Sequence, residues 1–127
     1  MKAEEWITAL YPEEIYRFPP TTLVVLPVPW DDLADKDRDM LRKLLHAVGA
    51  GMGRARIIHE RLLTESMIKA IDAEYAIVFG VDVDPPVNNT EIVKIGRTSL
   101  IRTVAPAELV ESLKRPLWDA LQKMYSL

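Results

Sequence analysis

The chain is expected to fold as an α/β domain of three layers, with a mainly parallel central sheet and helices on both faces. Three observations predict this. Ala73 to Gly80 is a run of β-formers that ends in glycine, and its apolar residues are continuous rather than alternating, as in a strand covered on both sides. Leu23-Val24-Val25-Leu26 is a second such run, too short for a helix. Stripes of helical period lie between and after them, and strands alternating with amphipathic helices are the pattern of a parallel sheet.

At 127 residues, with 49% apolar and 28% charged side chains, the chain supports one hydrophobic core and is too short for two ordinary domains. We divide it into an amino-terminal arm, 1–20, and a single α/β domain, 21–127. A net charge of -3 argues against an extensive basic face following nucleic-acid phosphates, so any contact with nucleic acid is expected to run through a partner. Cysteine is absent, which rules out disulfides and thiolate chemistry. The start of the chain has no signal-peptide profile, and no apolar run approaches the ~20 residues needed to span a bilayer. A cytoplasmic protein is expected, and the sequon Asn88-Asn89-Thr90 is then idle.

The arm sets Trp6, Ile7, Leu10, Tyr11 and Tyr16 among acidic residues, with Pro12, Pro19 and Pro20 preventing a long helix. One helical turn would bring Trp6, Ile7 and Leu10 to one side. Two readings stand: these side chains cover the end of their own core, or they dock in a groove on another protein.

The first strand spans Thr22 to Val28, and pairing must fail around Pro27 and Pro29. Trp30-Asp31-Asp32 then falls at a strand's carboxyl end, where active sites of open α/β sheets gather. Asp31 and Asp32 are the best-placed carboxylates for chemistry, yet Asp31, Asp32, Asp35 and Asp37 also precede a helix whose free amides they would cap. That helix carries Asp37, Met40, Leu41, Leu44, Leu45 and Val48 on one face and ends at Gly49, a left-handed cap. The glycines at 49, 51 and 53 follow a helix rather than a strand, which is the wrong context for a phosphate loop.

A short strand is predicted over Ala55 to His59, followed by a helix from an N-cap at Thr64 through Ile71, with Met67, Ile68 and Ile71 inward. His59 and Glu60 would point to opposite faces and not act as an acid–base pair. Val81 to Asn89 reads as a proline-stiffened loop, and Asp82 and Asp84 as solvated carboxylates, since two alone make a poor cation site. Glu91–Ile95 and Thr98–Val104 form a hairpin about Gly96, whose Lys94, Arg97 and Arg102 make it the most basic edge. Pro106 opens the closing helical segment, which buries Leu109, Val110, Leu113, Leu117, Leu121 and Met124, packs Trp118 on the core, and must kink or restart at Pro116.

The order of these pieces resembles the psi subunit of bacterial DNA polymerase III, an accessory protein of the replicative clamp loader. The residues that carry the resemblance are the arm with Trp6, Leu10 and Tyr16, then Thr22-Leu23-Val24-Val25-Leu26-Pro27, the helix ending near Val48, and Ile57-Ile58 followed by Thr64-Glu65-Ser66. The tail continues it with Ala105-Pro106-Ala107-Glu108-Leu109 and Leu113-Lys114-Arg115-Pro116-Leu117-Trp118-Asp119-Ala120-Leu121. The resemblance implies a uracil-DNA glycosylase-like fold, no catalytic residues, no cofactor and no metal. It also implies clamp-loader subunits bound through Trp6, Ile7, Leu10, Tyr11 and Tyr16, and a body that binds a chi-like subunit. The acidic character of the arm and its Pro12 depart from the family. The fold's enzyme relatives supply the rival reading, a divergent glycosylase in which Asp31 or Asp32 orients a water and Trp30 stacks on a base. No histidine follows His59 to complete such a site. A generic small adaptor is the third reading.

Overall fold

The computed structural model describes residues 21–50 and 52–126. Its elements, in chain order, are β1 (Thr22–Leu26), α1 (Asp35–Ala47), β2 (Ala55–His59), β3 (Leu62–Thr64), α2 (Glu65–Ile71), β4 (Tyr75–Phe79), β5 (Asp82–Asp84), β6 (Ile92–Ile95), β7 (Thr98–Thr103) and α3 (Glu111–Tyr125). The main sheet runs β2-β1-β4-β7-β6, parallel except for the antiparallel β6. The run that begins at Ala73 supplies the middle strand, β4, and Ala76 to Phe79 are wholly buried.

Side chains alternate across the sheet and build two cores. Val24, Leu26, Ile77, Phe79 and Ile101 face Leu41 and Leu45 of α1 and Leu117, Leu121 and Met124 of α3. Leu23, Val25, Ala76, Val78 and Leu100 face Ile68 of α2 together with Leu63 and Val83. Helices therefore cover both faces, as expected.

Several local expectations hold for their stated reasons. Thr64 caps α2, its hydroxyl accepting from the Met67 amide at 3.3 Å. Gly49 follows α1 with φ +79° and Gly96 turns the β6–β7 hairpin with φ +61°, both in the left-handed region that glycine enters without steric cost. Arg97 beside that turn is paired with Asp72, its Nε donating to Oδ1 at 3.1 Å. The Arg97 hydrogen bond holds the Asp72 carboxyl below its usual range.

Others need correction. The segment after β4 is not all loop: Asp82–Asp84 forms β5, which pairs in parallel with β3 and places Leu63 beside Val83 over the second core. A three-residue strand lacks enough alternation to be seen against the prolines that follow it. The aspartates before α1 do not cap it; Ala34 is the N-cap, without a side-chain hydrogen bond, and Asp35 pairs with Arg38 instead. Arg102 does not belong to an exposed basic edge. It lies on β7, inside the sheet, donating from Nε to the Val81 carbonyl at 2.9 Å and from Nη1 to Asn89 Oδ1 at 2.6 Å. Pro116 does not restart the helix; it sits within a continuous α3. Val110 and Leu113 are exposed rather than buried, at 56% and 39%.

The amino edge of the sheet is closed by aromatics. Tyr75 and Tyr125 stack with ring centroids 3.9 Å apart, and the Tyr125 and Thr22 hydroxyls share a 2.5 Å hydrogen bond. Burial pushes the Tyr125 phenol up to about 12. Its folded value thus lies above the unfolded one, so over the interval from about 10 to about 12 the folded state holds the proton that the unfolded state has lost. Stability from this group is complete below that interval and should fall as pH rises through it. Urea denaturation across the interval checks this: Tyr125→Phe should give a flatter decline than the parent, and identical slopes would contradict the assignment.

Candidate functional site

Connections from β1 lead to β2 on one side while β4 lies on the other, so the carboxyl ends of β1 and β4 mark the position where open α/β sheets usually hold a ligand. Here the chain itself lies against the β4 end of that position. After β7 the backbone returns over the end of β4, with the Gly80 amide donating to the Thr103 carbonyl at 2.8 Å and Ala105 lying against Gly80. Leu33 and Leu109 fill the adjoining space as part of the first core.

The carboxylates singled out in the sequence sit around this end. Trp30–Asp32 forms a 3₁₀ turn beside β2, with Asp31 and Asp32 both exposed. Trp30 is half-buried against the first core, and its ring is covered by the Arg42 guanidinium, 5.4 Å from the centroid. His59 ends β2 and is exposed, as is Glu60, whose amide donates to the Leu26 carbonyl at 3.0 Å. Among the described residues, no hydrogen bond or ion pair joins His59 or Glu60 to Asp31 or Asp32. Asp82 and Asp84 are exposed on either side of Val83, and Asp82 is paired with Arg102. No group of three potential metal ligands occurs among the described residues. The arm candidates Trp6, Ile7, Leu10, Tyr11 and Tyr16 lie outside the described residues.

The chain matches no family model and no curated protein. Within the described residues, no helix is long and apolar enough to cross a membrane.

The surface feature that sequence reasoning missed is apolar and belongs to the closing helix. Leu117, Leu121 and Met124 bury the later turns of α3, while Val110 and Leu113 project from its start. Below Val110 is a hollow of about 230 Å³, walled by Met40 and Pro106 and rimmed by Lys36 and Lys114. A second groove, of about 370 Å³, lies between α3 and β6, lined by Ile92, Pro116 and Ala120 together with the polar Thr90, Asp119 and Lys123, with Ile92 39% exposed. Periodicity alone assigns Leu113 to the same face as Leu117. What it omits is that a helix can extend beyond the layer it packs on, leaving its first turn uncovered. The one available signal was Pro106, which starts a separate 3₁₀ turn and delays α3 to Glu111.

Proposed function

We propose that the chain is a non-catalytic accessory protein resembling the clamp-loader psi subunit, with a uracil-DNA glycosylase-like fold and a cytoplasmic role in DNA replication. The observation that carries the reading is the exposed apolar start of α3, where Val110 borders one hollow and Leu113 follows it three residues on, with Ile92 of β6 lining a second hollow, because exposed apolar surface beside hollows suits contact with a partner. The parallel strands β2-β1-β4-β7 between helical layers support the finer fold. The arm engages a clamp-loader groove through Trp6, Ile7, Leu10, Tyr11 and Tyr16, while the α3 surface receives a chi-like subunit. Nucleic acid is reached through these partners. Leu117 and Trp118, part of the tail that carries the resemblance, serve the fold by packing on the core.

The rival glycosylase reading would require Trp30 to release Arg42 before it could stack on a base, and it leaves Asp31 and Asp32 in open solvent. The decisive experiment is capture from native lysate with the full chain and its Trp6→Ala variant, followed by affinity measurement against the captured clamp-loader subunits. Loss of ~2 kcal/mol or more on Trp6→Ala is expected, the size typical of a buried aromatic anchor. The proposal fails if affinity is unchanged while the isolated variant melts earlier, for the arm would then be packing on its own body. Release of uracil from DNA by the pure protein would also overturn it.

A further inference from the structure

β2 ends the sheet, with one row of its backbone groups unpaired among the described residues. Among the described residues β2 has a single neighbour, β1, in parallel register from Thr22↔Ala55 to Leu26↔His59. The Glu60 amide donates to Leu26, and successive residues of a strand turn their polar groups to opposite sides. Arg56 and Ile58 therefore address β1, whereas Ala55, Ile57 and His59 present N–H and C=O groups outward.

This edge differs in charge from the rest of the molecule. Residues 54–61 carry Arg54, Arg56 and Arg61 against Glu60, and the turn beside β2 adds Asp31 and Asp32, neither of which pairs with these arginines among the described residues. Arg56 and Arg61 are exposed, and neither has an ion-pair partner among the described residues, while Arg54 donates from Nε to the Thr21 hydroxyl at 3.2 Å. Most other arginines are committed: Arg38, Arg42, Arg97, Arg102 and Arg115 each pair with an aspartate. Ile57 and Ile58 are half-buried on opposite faces, so an added strand would gain apolar cover on both sides of the sheet.

We propose that the β2 edge is a docking site for an extended acidic segment of a partner protein, added as a sixth strand to the main sheet. Backbone hydrogen bonds to Ala55, Ile57 and His59 supply the pairing, and carboxylates of the segment meet Arg54, Arg56 and Arg61. Charge selects the occupant: a second copy of β2 would bring like-charged arginines together, which destabilises the pairing of cross-strand neighbours. This inference is independent of the psi-like reading, since it uses neither the arm nor α3.

The test uses the full chain and a labelled short peptide of alternating glutamate and valine, read by fluorescence anisotropy and amide hydrogen exchange. Saturable binding that weakens with salt is expected, with slowed exchange at Ile57 and His59. Arg56→Glu should weaken binding by about tenfold, the worth of one charge-assisted contact. His59→Pro removes an outward donor without touching the β1 ladder and should also weaken it, and the thermal melt of each variant verifies folding. The proposal is overturned if the peptide does not bind, or binds without protecting these amides. It is equally overturned if an oligothymidylate binds the same arginines more tightly, if the amides are already protected in the free chain, or if the protein dimerises through this edge.

Discussion

Gly80→Ala is expected to lower the stability of the protein by about 3 kcal/mol, combining left-handed strain with overpacking. Gly80 has φ +66°, and a Cβ placed on it would stand 2.8 Å from the Ala105 backbone nitrogen and Cα. The obstacle is main chain, pinned by the Gly80 hydrogen bond to Thr103, so it has no rotamer to yield. Urea denaturation should show a lower midpoint at unchanged slope, since the same surface is exposed on unfolding. Gly96→Ala supplies the comparison, because its φ of +61° carries similar strain but its nearest neighbour is the flexible Lys69 side chain at 3.4 Å. That variant should lose about 1 kcal/mol, the conformational part alone. Equal losses would mean that closure over β4 contributes nothing, and the carboxyl end of the sheet would then be free to open.

The contrast between these two glycines also shows what could be read from the sequence. Gly96 lies between two strand patterns two residues apart, so its turn is locally specified. Gly80 ends a strand in the same plain way, and its contact with Ala105, 25 residues later, is written nowhere nearby. The same division holds across the molecule. The buried strands at Leu23 and Ala76, the α1 stripe and the Thr64 cap were legible, because each depends on spacing within one element. The parallel pairing of Leu62–Thr64 with Asp82–Asp84 was not, because each partner is three residues long and their register is fixed only by the second core beneath them. Arg102 was misread for a related reason. A cation in a strand looks like edge protection until the segment carrying Val81, Asp82 and Asn89 folds over to receive it. At the candidate site the carboxylates were correctly placed at the carboxyl end of β1, but the contact of Ala105 with the end of β4 comes from beyond β7 and has no local signal.

The closing helix offers the sharpest separation of folding from binding, since residues one turn apart have different surroundings. Leu117 is fully buried beneath α3, in contact with the first core, and Leu117→Ala should cost about 3 kcal/mol through lost burial and the cavity left behind. Leu113 is 39% exposed, and Leu113→Ala should cost less than about 0.5 kcal/mol, as surface truncations on a helix usually do. Alanine suits a helix interior as well as leucine does, so propensity does not blur the comparison. Urea denaturation of the two variants measures the difference directly. In binding the order should invert: Leu113→Ala, folded as firmly as the parent, should weaken the complex formed by the α3 surface. A destabilisation by Leu113→Ala equal to that by Leu117→Ala would place Leu113 in the core and remove the surface on which the proposed accessory role rests.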